Sequence, residues 1–347
     1  YMKVIHSVNT TDIASNLKSP FYYAEIFDDG SVYNYNSCPN YFKWTSIGNI
    51  YQNSINEIWN SSKAQLIRKK VLKNNFSEKN IAIYNANASQ TLKELEFVDE
   101  LSQPNVIMPL PKIVKISHDK ECNVKCVTCR KNIICNTAEE LKNLDDKIEK
   151  YYLPLLQNAD SVVLNGIGDT LASRHGRKLI KEIVKTYPKI KFCLHTNGVL
   201  CNEKLLTELE IIDKLSIIEM SVHATTKETY NKFVLGGDFD KVIDNLKFLS
   251  KLKNDNKINA ILLIFVITNF NFREIPEFVE MAKKYSAEVI FWTYSNWGQQ
   301  TMEQEKEFRV FDREHKEYES FKKILNDNRL NDKIVHLNYL LNKIRLQ

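Results

Sequence analysis

The sequence predicts an α/β fold in which a partial (β/α)6 barrel follows a small α+β module. From residue 113 to residue 297, short apolar segments alternate with helical stretches at about 31 residues per pair, the usual length of a strand and its returning helix. The 347 residues suffice for two or three domains, and 43% hydrophobic with 26% charged residues is typical of globular chains. These observations favour a parallel sheet with helices between its strands.

The charge balance and the apolar runs exclude several classes of protein. Lysine and arginine number 48 against 43 acidic residues, and no block of like charges occurs, so we expect no nucleic-acid partner. The longest apolar run, Ala260 to Ile267, is far shorter than the roughly 20 residues needed to cross a bilayer, so we expect no membrane partner. The first residues lack a basic region followed by an apolar stretch, so we expect no secretory signal, and seven cysteines are too few for a disulfide scaffold. We therefore expect a cytoplasmic protein.

The first hundred residues predict a hairpin followed by a helix. Phe21–Phe27 and Ser31–Tyr35 flank an Asp-Gly dipeptide ending at Gly30, which favours a tight turn. Ser54 can cap the helix, whose apolar spacing slips near Ser61. We expect the helix to bend there.

Prolines mark a boundary after this module. Pro104, Pro109 and Pro111 remove backbone donors and disfavour helix in the residues before them, so we predict a linker. The predicted segments are the module at 1–100, the linker at 101–112, the barrel at 113–300 and a C-terminal helical extension at 301–347.

Six strands are predicted in the barrel, and most of them are polar on one side. Alternate residues of a strand face the same side, and polar residues such as Lys115, His195 and Glu219 recur at one parity. A sheet buried on both faces would be apolar at both parities, so we expect the polar side to line a ligand-holding lumen. The alternative is a sheet with one solvated face. Only the fifth strand is apolar throughout, which predicts packing on both sides. The predicted strands are Ile113–Ser117, Ser161–Asn165, Lys191–Thr196, Ile217–Val222, Ala260–Thr268 and Glu288–Ser295.

Three cysteines lie close together directly after the first barrel strand. Cys122, Cys126 and Cys129 are separated by three and by two residues, in a loop at the carboxyl end of the strand, where barrel active sites assemble. Three thiolates at this spacing can hold a cubic iron–sulfur cluster and leave its fourth iron free for an exogenous ligand. One alternative is a four-cysteine zinc or closed-cluster set that includes Cys135. The other is three free structural cysteines, which are usually buried and dispersed.

This cysteine spacing after a first strand, followed by βα repeats, resembles the radical S-adenosylmethionine (radical SAM) superfamily over residues 113–297. The resemblance implies one 4Fe-4S cluster held by the three cysteines, whose open iron binds the amino and carboxylate groups of S-adenosyl-L-methionine. Electron transfer then cleaves the sulfonium and yields a 5′-deoxyadenosyl radical that abstracts hydrogen from the substrate. Thr128 stands where the family often has an aromatic residue, at a position associated with the adenine.

Three further strand ends resemble the family's cofactor-binding stations. The stretch after the second strand resembles the Gly-Gly-Glu sequence that receives the methionine ammonium group. The other two resemble the Gln-Thr-Asn-Gly and Ser-Ile-Asp-Gly sequences of the sulfatase-maturating subgroup, in which the serine and its polar neighbour contact ribose hydroxyls. The residues implied by this resemblance are Gly166, Gly168, Asp169 and Thr170 after the second strand, His195 and Asn197 after the third, and Ser221 and His223 after the fourth.

The N-terminal region carries a second resemblance, to the SPASM extension that holds auxiliary iron–sulfur clusters in relatives. It rests on Asp28–Tyr33, Cys38, Ile47–Ile50 and Ile58–Ser61. The extension normally follows the barrel and has several cysteines, whereas here it precedes the barrel and has only Cys38. One thiolate cannot hold a cluster, so we expect a degenerate, cluster-free module that shapes substrate access or forms an interface.

Together the resemblances imply a radical SAM enzyme of the SPASM/sulfatase-maturase-like subgroup. We expect it to abstract hydrogen from a peptide or carbohydrate, using an external electron donor of the flavodoxin or ferredoxin type. Epimerisation, dehydrogenation, crosslinking and elimination all remain open as outcomes. Cys193, Cys201 and Tyr294 are candidates for steering or quenching a substrate radical, and the polar segment 296–316 is a candidate cover for the site. The alternative hypothesis is a non-catalytic iron–sulfur or zinc protein with a binding or redox-sensing role.

Overall fold

The computed structural model describes residues 19–34, 46–72, 108–164 and 167–346. It has the predicted α/β class, with mostly parallel strands and helices between them. The strands of the described part are β1 (Tyr23–Phe27), β2 (Ser31–Tyr33), β3 (Gly48–Asn49), β4 (Ile113–Ser117), β5 (Lys125–Cys126), β6 (Ser161–Leu164), β7 (Lys191–Thr196), β8 (Leu215–Ser221), β9 (Val234–Leu235), β10 (Ala260–Ile267), β11 (Glu288–Thr293) and β12 (Val335–Leu337). The helices of more than three residues are α1 (Ile55–Trp59), α2 (Ser62–Leu72), α3 (Ala138–Lys147), α4 (Arg174–Thr186), α5 (Glu203–Glu208), α6 (Lys227–Phe233), α7 (Phe239–Asn254), α8 (Ile275–Lys284), α9 (Met302–Phe308), α10 (Tyr318–Leu325) and α11 (Tyr339–Arg345), with a π-helical turn at Ile148–Tyr152 and a 3-10 turn at Asn328–Asn331.

The chain forms two compact units. The first comprises Tyr1–His118, Lys142–Gly166 and Glu182–Lys191, and the second comprises Asp119–Leu141, Ile167–Lys181 and Phe192–Gln347. The domain limits expected from the sequence remain a prediction. Residues 101–107 of the predicted linker lie outside the described residues.

In the first unit, the N-terminal strands pair with strands of the predicted barrel. β1 is antiparallel to β2 and parallel to β4, and β4 is parallel to β6. The predicted hairpin is confirmed: the amide of Gly30 donates to the carbonyl of Phe27 at 3.0 Å, and Gly30 has a φ of +80°. Glycine adopts this left-handed backbone without steric cost, which explains its place at the turn.

The helix predicted after the hairpin begins at the expected cap. The amide of Glu57 donates to the Ser54 hydroxyl at 3.3 Å, and the Glu57 carboxylate accepts from the Ser54 amide at 2.8 Å, which completes a capping box. Where the sequence predicts a bend in one helix, the structure has a break between two, because α1 ends at Trp59 and α2 begins at Ser62. The buried Trp59 indole donates to the Pro109 carbonyl at 2.7 Å, so the described part of the proline segment is bonded to this helix.

The polar side predicted for β4 is buried in the first unit and meets a carboxylate from β1. The Lys115 Nζ lies 3.1 Å from Glu25 Oε1, and the Ser117 hydroxyl donates to the same oxygen at 3.2 Å. All three side chains are buried. Burial of a charge is unfavourable unless the charge is paired, and here the Lys115 and Glu25 charges are paired with each other.

In the second unit, β7, β8, β10, β11 and β12 lie side by side and run parallel. β10 is flanked by β8 and β11 and nearly all of it is buried, as its apolar sequence predicts. β12 lies within the segment 301–347, for which the sequence predicts only helices. Among the described helices, none is both long and apolar enough to cross a bilayer.

Candidate functional site

The cysteine loop, residues 119–135 of the second unit, is held in place by backbone pairing. β5 within it pairs with β9 in an antiparallel ladder, and the Val127 amide donates to the Phe233 carbonyl at 3.0 Å. The Cys122 amide donates to the Ile134 carbonyl at 3.0 Å, which closes the other end of the loop. The chain itself therefore fixes the loop that carries the three cysteines.

The three predicted ligands lie in one partly buried group. Cys122 is buried, Cys126 and Cys129 are half-buried, and the Cys129 amide donates to the Cys126 carbonyl at 3.0 Å. Burial raises the pKa of the Cys126 thiol, and the nearby Cys129 and Cys122 sulfurs raise it further because three thiolates repel one another. Bound iron would relieve that repulsion. Cys135, the fourth member of the alternative set, is exposed.

The donor set consists of cysteine thiols, the residue type that holds cubane clusters. Within the described residues, no three His, Cys, Asp or Glu side chains converge on a position where one metal ion would sit. A cubane binds each thiolate on a different iron, so its ligands need not converge on one point. Cysteine thiolates are also the ligands that such clusters use.

Two nitrogen donors point at the sulfur atoms of this loop. The side-chain amide nitrogen of Asn197 lies 3.8 Å from the Cys122 sulfur, and the Arg130 Nη2 lies 3.5 Å from the Cys129 sulfur. Arg130 also donates to the carbonyls of Lys120 and Ile167. Asn197 was predicted as a cofactor-binding residue from its motif, whereas Arg130 was not singled out, although it directly follows Cys129.

The stretch after β6 packs its backbone against the cysteine loop. A Cβ atom at Gly168 would lie 2.1 Å from the carbonyl oxygen of Glu121, so only glycine fits there. The Asp169 amide donates to that same carbonyl at 2.8 Å. Thr170 is buried beside Asp169, and Gly166 lies outside the described residues.

Asp169 has its hydrogen-bonding capacity filled by the protein. Its Oδ1 accepts from the amides of Leu171 and Ala172 at 3.0 and 3.2 Å, and its Oδ2 accepts from the Thr196 hydroxyl and the Asn197 amide at 2.8 and 2.7 Å. A carboxylate offers about four lone-pair positions, and these four donors occupy them. The side chain therefore ties the end of β7 to the stretch after β6.

The ends of β7 and β8 bring the predicted residues His195 and Ser221 together. The His195 Nε2 lies 3.1 Å from the Ser221 hydroxyl, and its Nδ1 lies 3.3 Å from the Glu219 carboxylate. The His195 side chain is 29% exposed, while that of Glu219 is only 4% exposed. Cys193 is buried with its sulfur 3.9 Å from the other Glu219 oxygen. In the sequence only strand parity singles out Glu219, yet its carboxylate contacts both His195 and Cys193.

His223 is buried and bonded within the protein. Its Nδ1 accepts from the Val266 amide at 3.1 Å, and its carbonyl accepts from the Asn271 side chain at 2.9 Å. Its φ of +64° is uncommon for a residue other than glycine. Burial lowers the pKa of His223 to about 3, and the nearby His195 adds to the shift, so the ring stays neutral at physiological pH.

Cys201 and Tyr294, the other residues predicted to steer or quench a substrate radical, have different surroundings. Cys201 is fully buried, and burial raises its pKa. The Tyr294 hydroxyl donates to the Gln300 side chain at 3.2 Å, and burial, with a contribution from Glu305, raises the pKa of Tyr294 to about 12. Gln300 in turn donates to the Val127 carbonyl at 3.0 Å, which links the predicted cover segment to the cysteine loop. Thr128 is buried in that loop.

Comparison with known families matches two regions of the chain. Residues 116–282 match the model of the radical SAM superfamily, and residues 18–82 match the SPASM model, described as an iron–sulfur cluster-binding domain. Both resemblances expected from the sequence are therefore confirmed, including the order in which SPASM precedes the radical SAM domain.

Several curated proteins are similar to part of the chain. A molybdenum cofactor biosynthesis protein 1 from Dictyostelium discoideum is 24% identical over 221 residues, which cover 60% of this chain and 33% of that protein. The FeMo cofactor biosynthesis protein NifB of Methanocaldococcus jannaschii is 25% identical over 170 residues, covering 45% and 55% of the two chains. A GTP 3′,8-cyclase from Syntrophomonas wolfei is 29% identical over 182 residues, covering 51% and 53%. The chain spans about half or less of the length of these relatives.

Two solved structures are similar to part of the chain at low sequence identity. The structure of anSMEcpe with bound AdoMet has a TM-score of 0.42 at 20% identity and covers 67% of this chain and 64% of that one. Streptococcus suis SuiB bound to the precursor peptide SuiA has a TM-score of 0.41 at 16% identity and covers 80% and 63%.

Proposed function

We propose that this chain, which carries a radical SAM domain over residues 116–282 and a SPASM domain over residues 18–82, reductively cleaves S-adenosylmethionine and abstracts hydrogen from a peptide or carbohydrate. The observation that carries the proposal is the group formed by Cys122, Cys126 and Cys129 on a loop fixed by the chain's own backbone. A 4Fe-4S cluster bound there supplies the electron transfer and an open iron for the methionine end of the cofactor.

We assign the residues at the strand ends two roles: some position other side chains, and others contact S-adenosylmethionine. Asp169 has no free lone pair, so we assign it the task of fixing Asn197 rather than that of binding the methionine ammonium group. His195 and Ser221 lie within hydrogen-bond reach of each other and are only half-buried, which suits contact with ribose hydroxyls. The buried Glu219 holds the Nδ1 side of His195, so the Nε2 atom of His195 remains directed at Ser221.

The substrate and the electron donor belong to the same proposal. The resemblance to the sulfatase-maturating subgroup supports a peptide side chain as the first substrate to test. Residues 18–82 contain one cysteine, Cys38, so the SPASM region lacks the thiolates for a cluster of its own. We therefore propose a single cluster and an external donor of the flavodoxin or ferredoxin type.

The test is cleavage of S-adenosylmethionine by anaerobically reconstituted protein. With dithionite we expect 5′-deoxyadenosine from the wild type and from Cys135→Ala, and none from Cys126→Ala. Cys135 is the matched control because it is an exposed cysteine of the same loop. Absence of product from the wild type, or equal product from Cys126→Ala, contradicts the proposal. One zinc per chain in place of iron would favour the non-catalytic alternative.

A further inference from the structure

We propose that Asn197 and Arg130 donate hydrogen bonds to the cluster-ligating sulfurs of Cys122 and Cys129 and thereby raise the reduction potential of the cluster. The inference rests on the proposed function, since it requires the cluster to be bound. It assigns to two residues a role in positioning charge around the cluster, and neither residue needs to touch the substrate.

The orientation of the Asn197 side chain is fixed by its neighbours. Its Oδ1 accepts from the Val199 amide at 3.0 Å, and an amide N–H can only donate, so this atom must be the oxygen. The nitrogen therefore faces the other way, where it lies 2.8 Å from Asn123 Oδ1 and 3.8 Å from the Cys122 sulfur. The main chain of Asn197 is held at the same time by Asp169 at 2.7 Å. An N–H group thus points at the sulfur from a buried and fully restrained side chain.

Arg130 is restrained by hydrogen bonds to two backbone carbonyls. Its guanidinium donates to the backbone carbonyls of Lys120 and Ile167, and its Nη2 lies 3.5 Å from the Cys129 sulfur. The guanidinium carries its positive charge at this place because arginine is not deprotonated in proteins. The carbonyl contacts position the cation, and the sulfurs are the negative groups that it faces.

Reduction adds one electron, and so one negative charge, to a cluster. N–H donors and cations near its sulfurs stabilise the reduced form more than the oxidised form, which raises the potential. A neutral hydrogen bond changes an equilibrium by about fivefold and a charge-assisted one by about tenfold or more. We therefore expect a larger effect from Arg130 than from the hydrogen bond of Asn197 alone.

The experiment is a potentiometric titration of the reconstituted full chain, followed by the electron paramagnetic resonance signal of the reduced cluster. Arg130→Gln should lower the reduced-to-oxidised ratio at a fixed potential by about tenfold. Lys131→Gln makes the same charge change at the adjacent exposed residue and should leave the ratio nearly unchanged. Equal shifts in the two variants would mean that charge in general, and not the contact with Cys129, sets the potential.

The Asn197 contact has its own matched pair of variants. Asn197→Asp keeps an oxygen for the Val199 amide but removes the N–H from the Cys122 sulfur, so the reduced fraction should fall by at least about fivefold. Asn123→Asp adds the same charge one hydrogen bond further away, keeps Asn197 as a donor and should shift the ratio less. If Asn123→Asp shifts the reduced-to-oxidised ratio as much as Asn197→Asp does, the role assigned to the Asn197 hydrogen bond is wrong.

Iron content separates failure of this inference from failure of the proposed function. Wild-type protein that takes up no cluster refutes the proposed function, whereas a full cluster whose potential is unmoved in both Arg130→Gln and Asn197→Asp refutes only the inference. If Arg130→Gln does not retain its cluster, Arg130→Lys keeps the cation but not the fork that reaches two carbonyls and a sulfur. A potential lower than wild type in Arg130→Lys supports the proposal, and an unchanged one overturns it.

Discussion

The cysteine loop of the second unit and the N-terminal strands of the first unit are stabilised in different ways. The loop combines backbone pairing with two nitrogen donors directed at sulfur, Asn197 and Arg130. The N-terminal region relies on a hairpin turn at Gly30, a capping box at Ser54 and the buried indole of Trp59. Both regions match families that bind iron–sulfur clusters, yet only one contains the thiolates. A family match thus identifies the type of domain, whereas the cysteines present determine whether that domain can bind a cluster.

The largest expected effect separates the two regions by their cysteines. Cys122→Ser removes one of the three proposed ligands, a buried cysteine, and should abolish cluster binding, because two remaining thiolates do not hold a cubane stably. Cys38→Ser removes the single cysteine of residues 18–82 and should leave about four irons per chain. Iron and sulfide analysis of anaerobically reconstituted protein measures both. Loss of iron from Cys38→Ser would show that the SPASM region does bind metal.

A smaller effect compares one glycine from each region. A Cβ at Gly168 would lie 2.1 Å from the Glu121 carbonyl of the cysteine loop, and one at Gly30 would lie 2.5 Å from the Tyr51 ring. Replacement by alanine should lower the free energy of unfolding by about 1–3 kcal/mol in each case, as measured by urea denaturation. Only Gly168→Ala should also weaken S-adenosylmethionine binding, by about tenfold or more, because its obstacle is the backbone of the loop. The comparison fails if Gly30→Ala weakens binding equally.

The effect expected to be smallest at neutral pH is the pH dependence of stability that the buried His223 gives to the second unit. Its pKa is about 3 in the folded chain and about 6.5 when unfolded, so the unfolded chain takes up a proton first as the pH falls. Stability is therefore fully present above about pH 6.5 and should decline below it, by about 2 kcal/mol at pH 5. His223→Asn, which tolerates the left-handed backbone, should flatten this decline in urea titrations of the metal-free protein. His336→Asn, at a half-exposed histidine, is the control, and an equal flattening there would contradict the assignment.

Much of the fold could be predicted because its signals are local. The strands Ile113–Ser117 and Lys191–Thr196 have the predicted limits, and the helix cap lies at Ser54 as predicted. The short strand β12 was missed because three residues of alternating sequence give no periodic signal. Its place is decided by pairing with β11.

The sequence predicts the cysteine ligands of the candidate site but not the contacts that support the loop around them. Gln300 bonds the carbonyl of Val127 across 173 residues, and no feature of either residue's neighbourhood indicates it. In the sequence, Glu219 is one of several polar residues on its strand face. Its role in orienting His195 follows only from the distance between the two side chains.

The sequence by itself determined the three clustered cysteines, the alternation of strands and helices and the absence of a thiolate set in residues 18–82, since each depends on residues close together in the chain. Only the tertiary structure decided that the Asp169 carboxylate accepts four hydrogen bonds. It also decided that nitrogen atoms of Asn197 and Arg130 lie near cysteine sulfurs. These contacts join separate strand ends and loops. They exist because folding brings those segments within a few ångströms, a distance that local sequence cannot encode.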